Sequence, residues 1–168
     1  GYTRAVLKEK RVGVFVGVTN GQYQMLETEI NGTQVSPLIS YASLANRISY
    51  LFNFHGPSLA IDTMCSSYLT TLHYACESIR NGECDLAIVG SANLIIYPNK
   101  YIQLSISKFA SPKGRCHSFG KDADGYIPGE GVGAVLLKPL TESEADGDYI
   151  YGVIKGTCVN HGGKTNGY

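Results

Sequence analysis

The 168 residues suit one domain, able to bury roughly two thirds of its unfolded surface, and a composition 43% hydrophobic and 17% charged is that of a globular protein. Fourteen basic residues balance fourteen acidic ones, so no charge excess points to nucleic acid or an anionic membrane. No apolar run is long enough to span a bilayer, and the first residues, GYTRAVLKEK, lack the apolar centre of a signal peptide.

Strand-like and helix-like patterns alternate along the chain. Residues 11–18 (RVGVFVGV) predict a buried strand, β-branched and broken only by glycines. Residues 40–53 predict a helix with Leu44, Ile48, Leu51 and Phe52 on one apolar stripe, stopped by Gly56-Pro57. A short strand over Ser58 to Thr63 leads to a second helix from about Cys65 to Asn81. Its stripe is Leu69, Leu72, Cys76 and Ile79, and Gly82 stands where a C-cap belongs. A strand over 85–90, a helical stretch near 99–109, a Gly/Pro-rich segment and strands over 131–138 and 149–159 complete the order. Short links between alternating elements predict a layered α/β core. Both ends read as cut, the chain stopping at Asn166-Gly167-Tyr168 directly after a predicted strand.

The cysteines (Cys65, Cys76, Cys84, Cys116, Cys158) are odd in number and irregularly spaced, unlike a secreted disulfide framework. They predict a reducing cytoplasm, with most of the thiols acting as small buried hydrophobes. The sequon at Asn31-Gly32-Thr33 is then a chance match.

The informative segment is SLAIDTMCSSYLTTLHYACESIRNG, residues 58–82. A thiol at the start of a helix faces unpaired backbone N–H groups and the positive end of the macrodipole, and both favour the thiolate that a nucleophile needs. The same N–H groups can hold the oxyanion formed when a thioester is attacked. A strand-to-helix nucleophile elbow works similarly, although its flanking glycines are absent here. Spacing alone leaves a structural thiol as good an explanation of Cys65. Cys76 falls on the apolar stripe and reads as structural.

Asp62-Thr63-Met64-Cys65-Ser66-Ser67 resembles the DTACSS signature around the nucleophile of β-ketoacyl synthases in polyketide assembly lines. SYASLANRISYLFNFHGPS before it, and GECDLAIVGSANLI, FGKDADGYIPGEGVGAVLLKPL and VNHGGKTNGY after it, resemble the same family in the same order. GYIPGEG and NHGGKTNGY look most like modules served by a separate acyltransferase. The resemblance implies a thiolase-like layered αβαβα fold, of which residues 1–168 are a fragment covering most of the N-terminal half.

It further implies that Cys65 accepts an acyl chain from the phosphopantetheine arm of an acyl carrier protein, with no cofactor bound directly. Decarboxylation of a malonyl unit on a second carrier then drives condensation. The two histidines that assist in the family lie beyond this chain, so His161 is expected to organise a loop rather than act as base. The backbone N–H of Cys65 is the candidate oxyanion donor. Met64, in place of the commoner alanine, is the substrate-pocket candidate; Tyr68 stands where serine is usual. A homodimer pairing the strand near 85–90 across its axis is implied for the parent protein. A non-elongating transfer domain, a fatty-acid-type synthase and an excerpt inactive by itself are the alternatives.

Other signals carry less. Cys116-His117 with Cys158-x-x-His161 suggests zinc, but adjacent residues in extended chain point to opposite faces. Asp122-x-Asp124-Gly125 begins like a calcium loop, yet Ile127 and Gly133 hold the places of its glycine and glutamate. Glycines 129, 131 and 133 precede a strand, whereas a dinucleotide fingerprint follows one.

Overall fold

A computed structural model describes residues 2–19, 21–26, 28–30, 32–35 and 40–164. Asn31 of the sequon and the Asn166-Gly167-Tyr168 ending lie outside the described residues. The chain forms two compact units, one of Gly1–Thr19, Ser40–Ser91 and Gly133–Tyr168, the other of Asn20–Ile39 and Ala92–Val132.

The first unit holds helix α1 (Arg4–Leu7), strand β1 (Val12–Gly17), helix α2 (Ala42–Phe52), strand β4 (Ser58–Ile61) and helix α3 (Ser67–Arg80). Strands β5 (Leu86–Asn93) and β6 (Gly131–Leu137) enter it for most of their length, and helix α5 (Leu140–Ala145) follows. The sheet order is β4-β1-β5-β6, with β1 parallel to both neighbours: Val14 lies opposite Ser58, and Val12 opposite Leu86. Each parallel step needs a crossover, and α3 carries the chain from β4 to β5.

The core forms where β1 and β5 meet α3. Phe15, Ala75, Cys84, Ala87 and Val89 are buried together, flanked by Tyr68, Leu72, Ile79 and Leu137. Burying a ring such as Phe15 contributes about 1.5–3 kcal/mol. Arg11 joins the starts of β1 and β5: its backbone N–H and guanidinium both donate to Asp85, at 2.7 and 2.9 Å. These bonds, the backbone one foremost, hold the Asp85 carboxyl below its usual range against partial burial.

The predicted helices and most strands are present, but their faces differ. On α3 the buried residues are Ser67, Thr70, Thr71, Ala75 and Ser78, whereas Leu69 is exposed. Small side chains let the helix axis approach the sheet, so the large apolar residues fall to its flanks. On α2 only Ala45 is buried, while Leu44, Leu51 and Phe52 are exposed. This helix ends at Asn53 in the left-handed conformation (φ 57°), ahead of Gly56-Pro57. The stop of α3 is as expected: Gly82 adopts φ 69°, and Glu83 N–H reaches back to the Ser78 carbonyl at 2.9 Å.

Three further expectations are corrected. Residues 149–159 form no strand, pairing with neither edge of the sheet; His73 Nδ1, 2.8 Å from Thr157 Oγ1, ties the segment to α3 instead. Strand β5, between β1 and β6, has no free edge for pairing across a dimer axis. Most cysteines are not buried: Cys84 is, Cys76 is half-buried, and Cys65, Cys116 and Cys158 are exposed, all five as free thiols. Burial pushes the Cys76 and Cys84 thiols up.

A polar clasp closes this unit. The Lys138 ammonium, almost wholly buried, donates to Asp146, to Asp148 Oδ2 at 2.7 Å and to Tyr2 Oη at 2.7 Å, while Tyr2 donates to Asp148 at 2.5 Å. Burial opposes the charge on Lys138, but the three bonds together outweigh it and raise its pKa. The bond from Lys138, then that from Tyr2, lowers that of Asp148. A lowered carboxyl stabilises the fold above its unfolded pKa and loses this as pH falls through the folded value. The stability gap between parent domain and Asp148→Asn is therefore expected to be constant from about pH 8 to about pH 5 and to shrink below about pH 4, read from urea midpoints. A gap unchanged down to acid pH would contradict it.

The second unit contains the hairpin of β2 (Thr28–Ile30) and β3 (Thr33–Val35), and helix α4 (Asn99–Ile106). Among the described residues no helix is long and apolar enough to cross a membrane.

Candidate active site

Strand β4 ends at Ile61, and three residues later the chain enters a 3-10 turn, Met64–Ser66, that runs directly into α3. Cys65 thus lies one short turn ahead of the α-helix proper, with its side chain exposed. The turn depends on Met64, whose φ of 59° is left-handed, a conformation costing a non-glycine residue roughly 1 kcal/mol or more. Both of its backbone groups are bonded. Its N–H donates to Asp62 Oδ1 at 2.9 Å, and its carbonyl accepts from Thr19 Oγ1 at 3.0 Å and lies 2.7 Å from Ser67 Oγ.

The flanking N–H groups are also occupied: Ser66 N–H donates to the Thr63 carbonyl and Ser67 N–H to that of Met64. Among the described residues the Cys65 N–H has no acceptor. The N-cap residue of α3, Ser66, makes no side-chain cap, its hydroxyl donating back toward Thr63. An exposed thiol therefore stands beside one unpaired N–H at the positive end of a 14-residue helix.

Backbone contact sets the position of this corner. A Cβ on Gly17 would lie 2.9 Å from Tyr68 N and Cα and 3.0 Å from the Ser67 carbonyl carbon. Only glycine lets the end of β1 meet the start of α3 this closely. Tyr68 itself packs against the core and serves as its wall.

The other candidates fall elsewhere. His161 Nδ1 accepts from Gly163 N–H at 2.9 Å, a local loop contact. His73 is mid-helix on Thr157. In the second unit Asp124 accepts from buried Ser111 at 2.7 Å and pairs with Lys113 at 3.2 Å; the Ser111 bond foremost keeps its carboxyl below the usual range. Cys116 Sγ accepts from Ile127 N–H at 3.1 Å. Glu130 accepts from Ile95 N–H at 2.6 Å, so the glycines around it belong to an anchored loop. No group of three or more potential metal ligands occurs among the described residues.

Two contributors escaped sequence reading. Asp62, two residues before Met64, carries the ordinary signal of an Asx turn. Ser67 bonds locally to Thr63 and Met64, but its contact with the carbonyl of Val18, at 2.9 Å, joins residues distant in sequence and leaves no local signal.

Residues 1–143 match the family model for the N-terminal domain of β-ketoacyl synthases. Polyketide synthase PksL of Bacillus subtilis is 55% identical over the whole chain, and polyketide synthase ThaG of Burkholderia thailandensis 54%. The chain spans only 4% and 3% of those proteins. Among solved structures, the oxazolomycin ketosynthase domain OzmH KS7 of Streptomyces albus superposes with a TM-score of 0.92 at 52% identity, covering 98% of this chain and 29% of that one. The partial thiolase-like α/β fold is thereby as expected. With the family model matched across β1, the Cys65 corner, α3 and β5, this chain belongs to the β-ketoacyl synthase family.

Proposed function

We propose that residues 1–168 are part of a polyketide ketosynthase domain in which Cys65 carries the growing chain. The observation that supports this most directly is the exposed Cys65 thiol beside its own N–H, which has no acceptor among the described residues. The thiolate attacks the carbonyl of an acyl thioester on the phosphopantetheine arm of an acyl carrier protein. The oxyanion forms against the Cys65 N–H, and collapse expels the carrier thiol. A malonyl thioester on a second carrier loses CO2, and its enolate carbon attacks the Cys65 thioester. The Cys65 thiolate leaves, and the second carrier holds a β-ketoacyl chain two carbons longer. In this reading the histidines assisting decarboxylation lie in sequence beyond these residues.

The same reading places the domain in the cytoplasm, with a separate acyltransferase loading malonyl units and no directly bound cofactor. It makes the parent protein a homodimer; any strand pairing across the axis then falls to β4 or β6, the sheet edges among the described residues. Intact-protein mass spectrometry of the complete domain tests the reading, following acyl loading and two-carbon extension separately. Loading followed by extension supports a condensing enzyme, whereas loading without extension establishes the transfer-only alternative. No loading at Cys65 removes the basis of both.

Met64, half-exposed and adjacent to Cys65, is proposed to narrow the acyl pocket. Its thioether disfavours chains branched near the thioester. Met64→Ala is expected to raise the branched-to-straight loading ratio about 10-fold, the scale of a methylene-sized change in a pocket. An unchanged ratio with synthetic acyl surrogates sinks this assignment.

A further inference from the structure

Ser67 is among the few polar side chains the fold buries, at 4% exposure. Its hydroxyl sits between three backbone groups on two stretches of chain. It accepts from Thr63 N–H at 2.9 Å and stands 2.9 Å from the Val18 carbonyl and 2.7 Å from the Met64 carbonyl, its one proton serving these two oxygens. Thr19 Oγ1, the other donor to the Met64 carbonyl, is 3.4 Å away.

A serine used only to begin a helix would bond its own first turn. This one bonds the residues before the turn and the end of β1. The chain reverses at Met64 in a left-handed conformation that must be held by its surroundings. Ser67 holds it from the inside, bonding the residue ahead of Met64 and the carbonyl of Met64 itself. The peptide fixed in this way joins Met64 to Cys65, so its plane sets the direction of the Cys65 N–H.

We infer that Ser67 is a positioning residue: its buried hydroxyl locks the Met64–Cys65 peptide to the end of β1 and so aims the Cys65 thiol and N–H at one reacting carbonyl. This rests on Cys65 being the acyl acceptor. Alignment matters for acyl transfer, which needs thiol and N–H on one carbonyl at once. Alkylation by iodoacetamide needs an exposed thiolate but no N–H aimed at a carbonyl.

Those two reactions separate the inference from a purely structural role. In the complete domain, Ser67→Ala is expected to slow acyl loading about 10-fold without raising the KM for the surrogate thioester. Its Cys65 alkylation rate should stay within about twofold of the parent, since the thiol keeps both its exposure and its place at the start of α3, which favours the thiolate. Ser78→Ala removes another buried hydroxyl of α3, one bonded to Glu83 instead, and should leave both rates at parent level. Should Ser67→Ala fail to fold, Thr19→Val removes the other side-chain donor to the Met64 carbonyl and is expected to slow loading about threefold, again sparing alkylation. Parent loading rates in the folded variants, or loading and alkylation that fall together, overturn the inference. A parent domain that takes up no acyl group at Cys65 overturns the functional reading itself.

Discussion

Cys65→Ala in the complete domain is expected to remove acyl loading, with a fall of about 10⁴-fold or more in chain extension, the scale on which a covalent nucleophile is lost. Alanine keeps the Cβ and the helix start, and the side chain is exposed, so the fold has little to lose. Cys84→Ala inverts the pattern. That thiol is buried in the core, and its loss should lower stability by about 1–2 kcal/mol while leaving loading at Cys65 intact. Mass spectrometry of the loaded protein, with peptide mapping, reads both. Persistent acylation of Cys65→Ala at parental extent would place the acyl group on another residue.

The second large effect is structural and reaches the site through the backbone. Gly17→Ala puts a methyl 2.9 Å from Tyr68 N and Cα, atoms that cannot rotate away. The start of α3 must move off β1, costing about 2–3 kcal/mol of stability as overpacking does. It also separates Ser67 from the Val18 carbonyl, so acyl loading should fall along with the denaturation midpoint. Gly90→Ala is the matched control: it lies in the same sheet, and its added methyl meets Gly133 O at 3.5 Å and Ala134 Cβ at 3.7 Å, ordinary contact distances. Equal stability of the two variants would show that β1 and α3 do not depend on this close approach.

Sequence by itself determined those features whose causes are local. The glycine-broken apolar run predicts β1, and Gly82 stops α3 because a left-handed residue is needed there. The DTMCSS segment placed Cys65 at a strand-to-helix junction, and the motif order pointed to the family. Tertiary structure decided whatever depends on a partner distant in the chain. Residues 149–159 have strand composition but no ladder. Leu69 fits an apolar stripe, yet the sheet accepts the narrow face of Ser67, Thr71, Ala75 and Ser78 because a close helix leaves room only for small side chains. Gly17 reads as an interruption of a strand until Tyr68 is seen against it. Ser67 reads as one serine of a motif until its hydroxyl meets Val18. Periodicity records which residues prefer burial; which atoms meet is settled only when β1 and α3 pack, since steric exclusion and hydrogen bonding act over a few ångströms of space irrespective of distance along the chain.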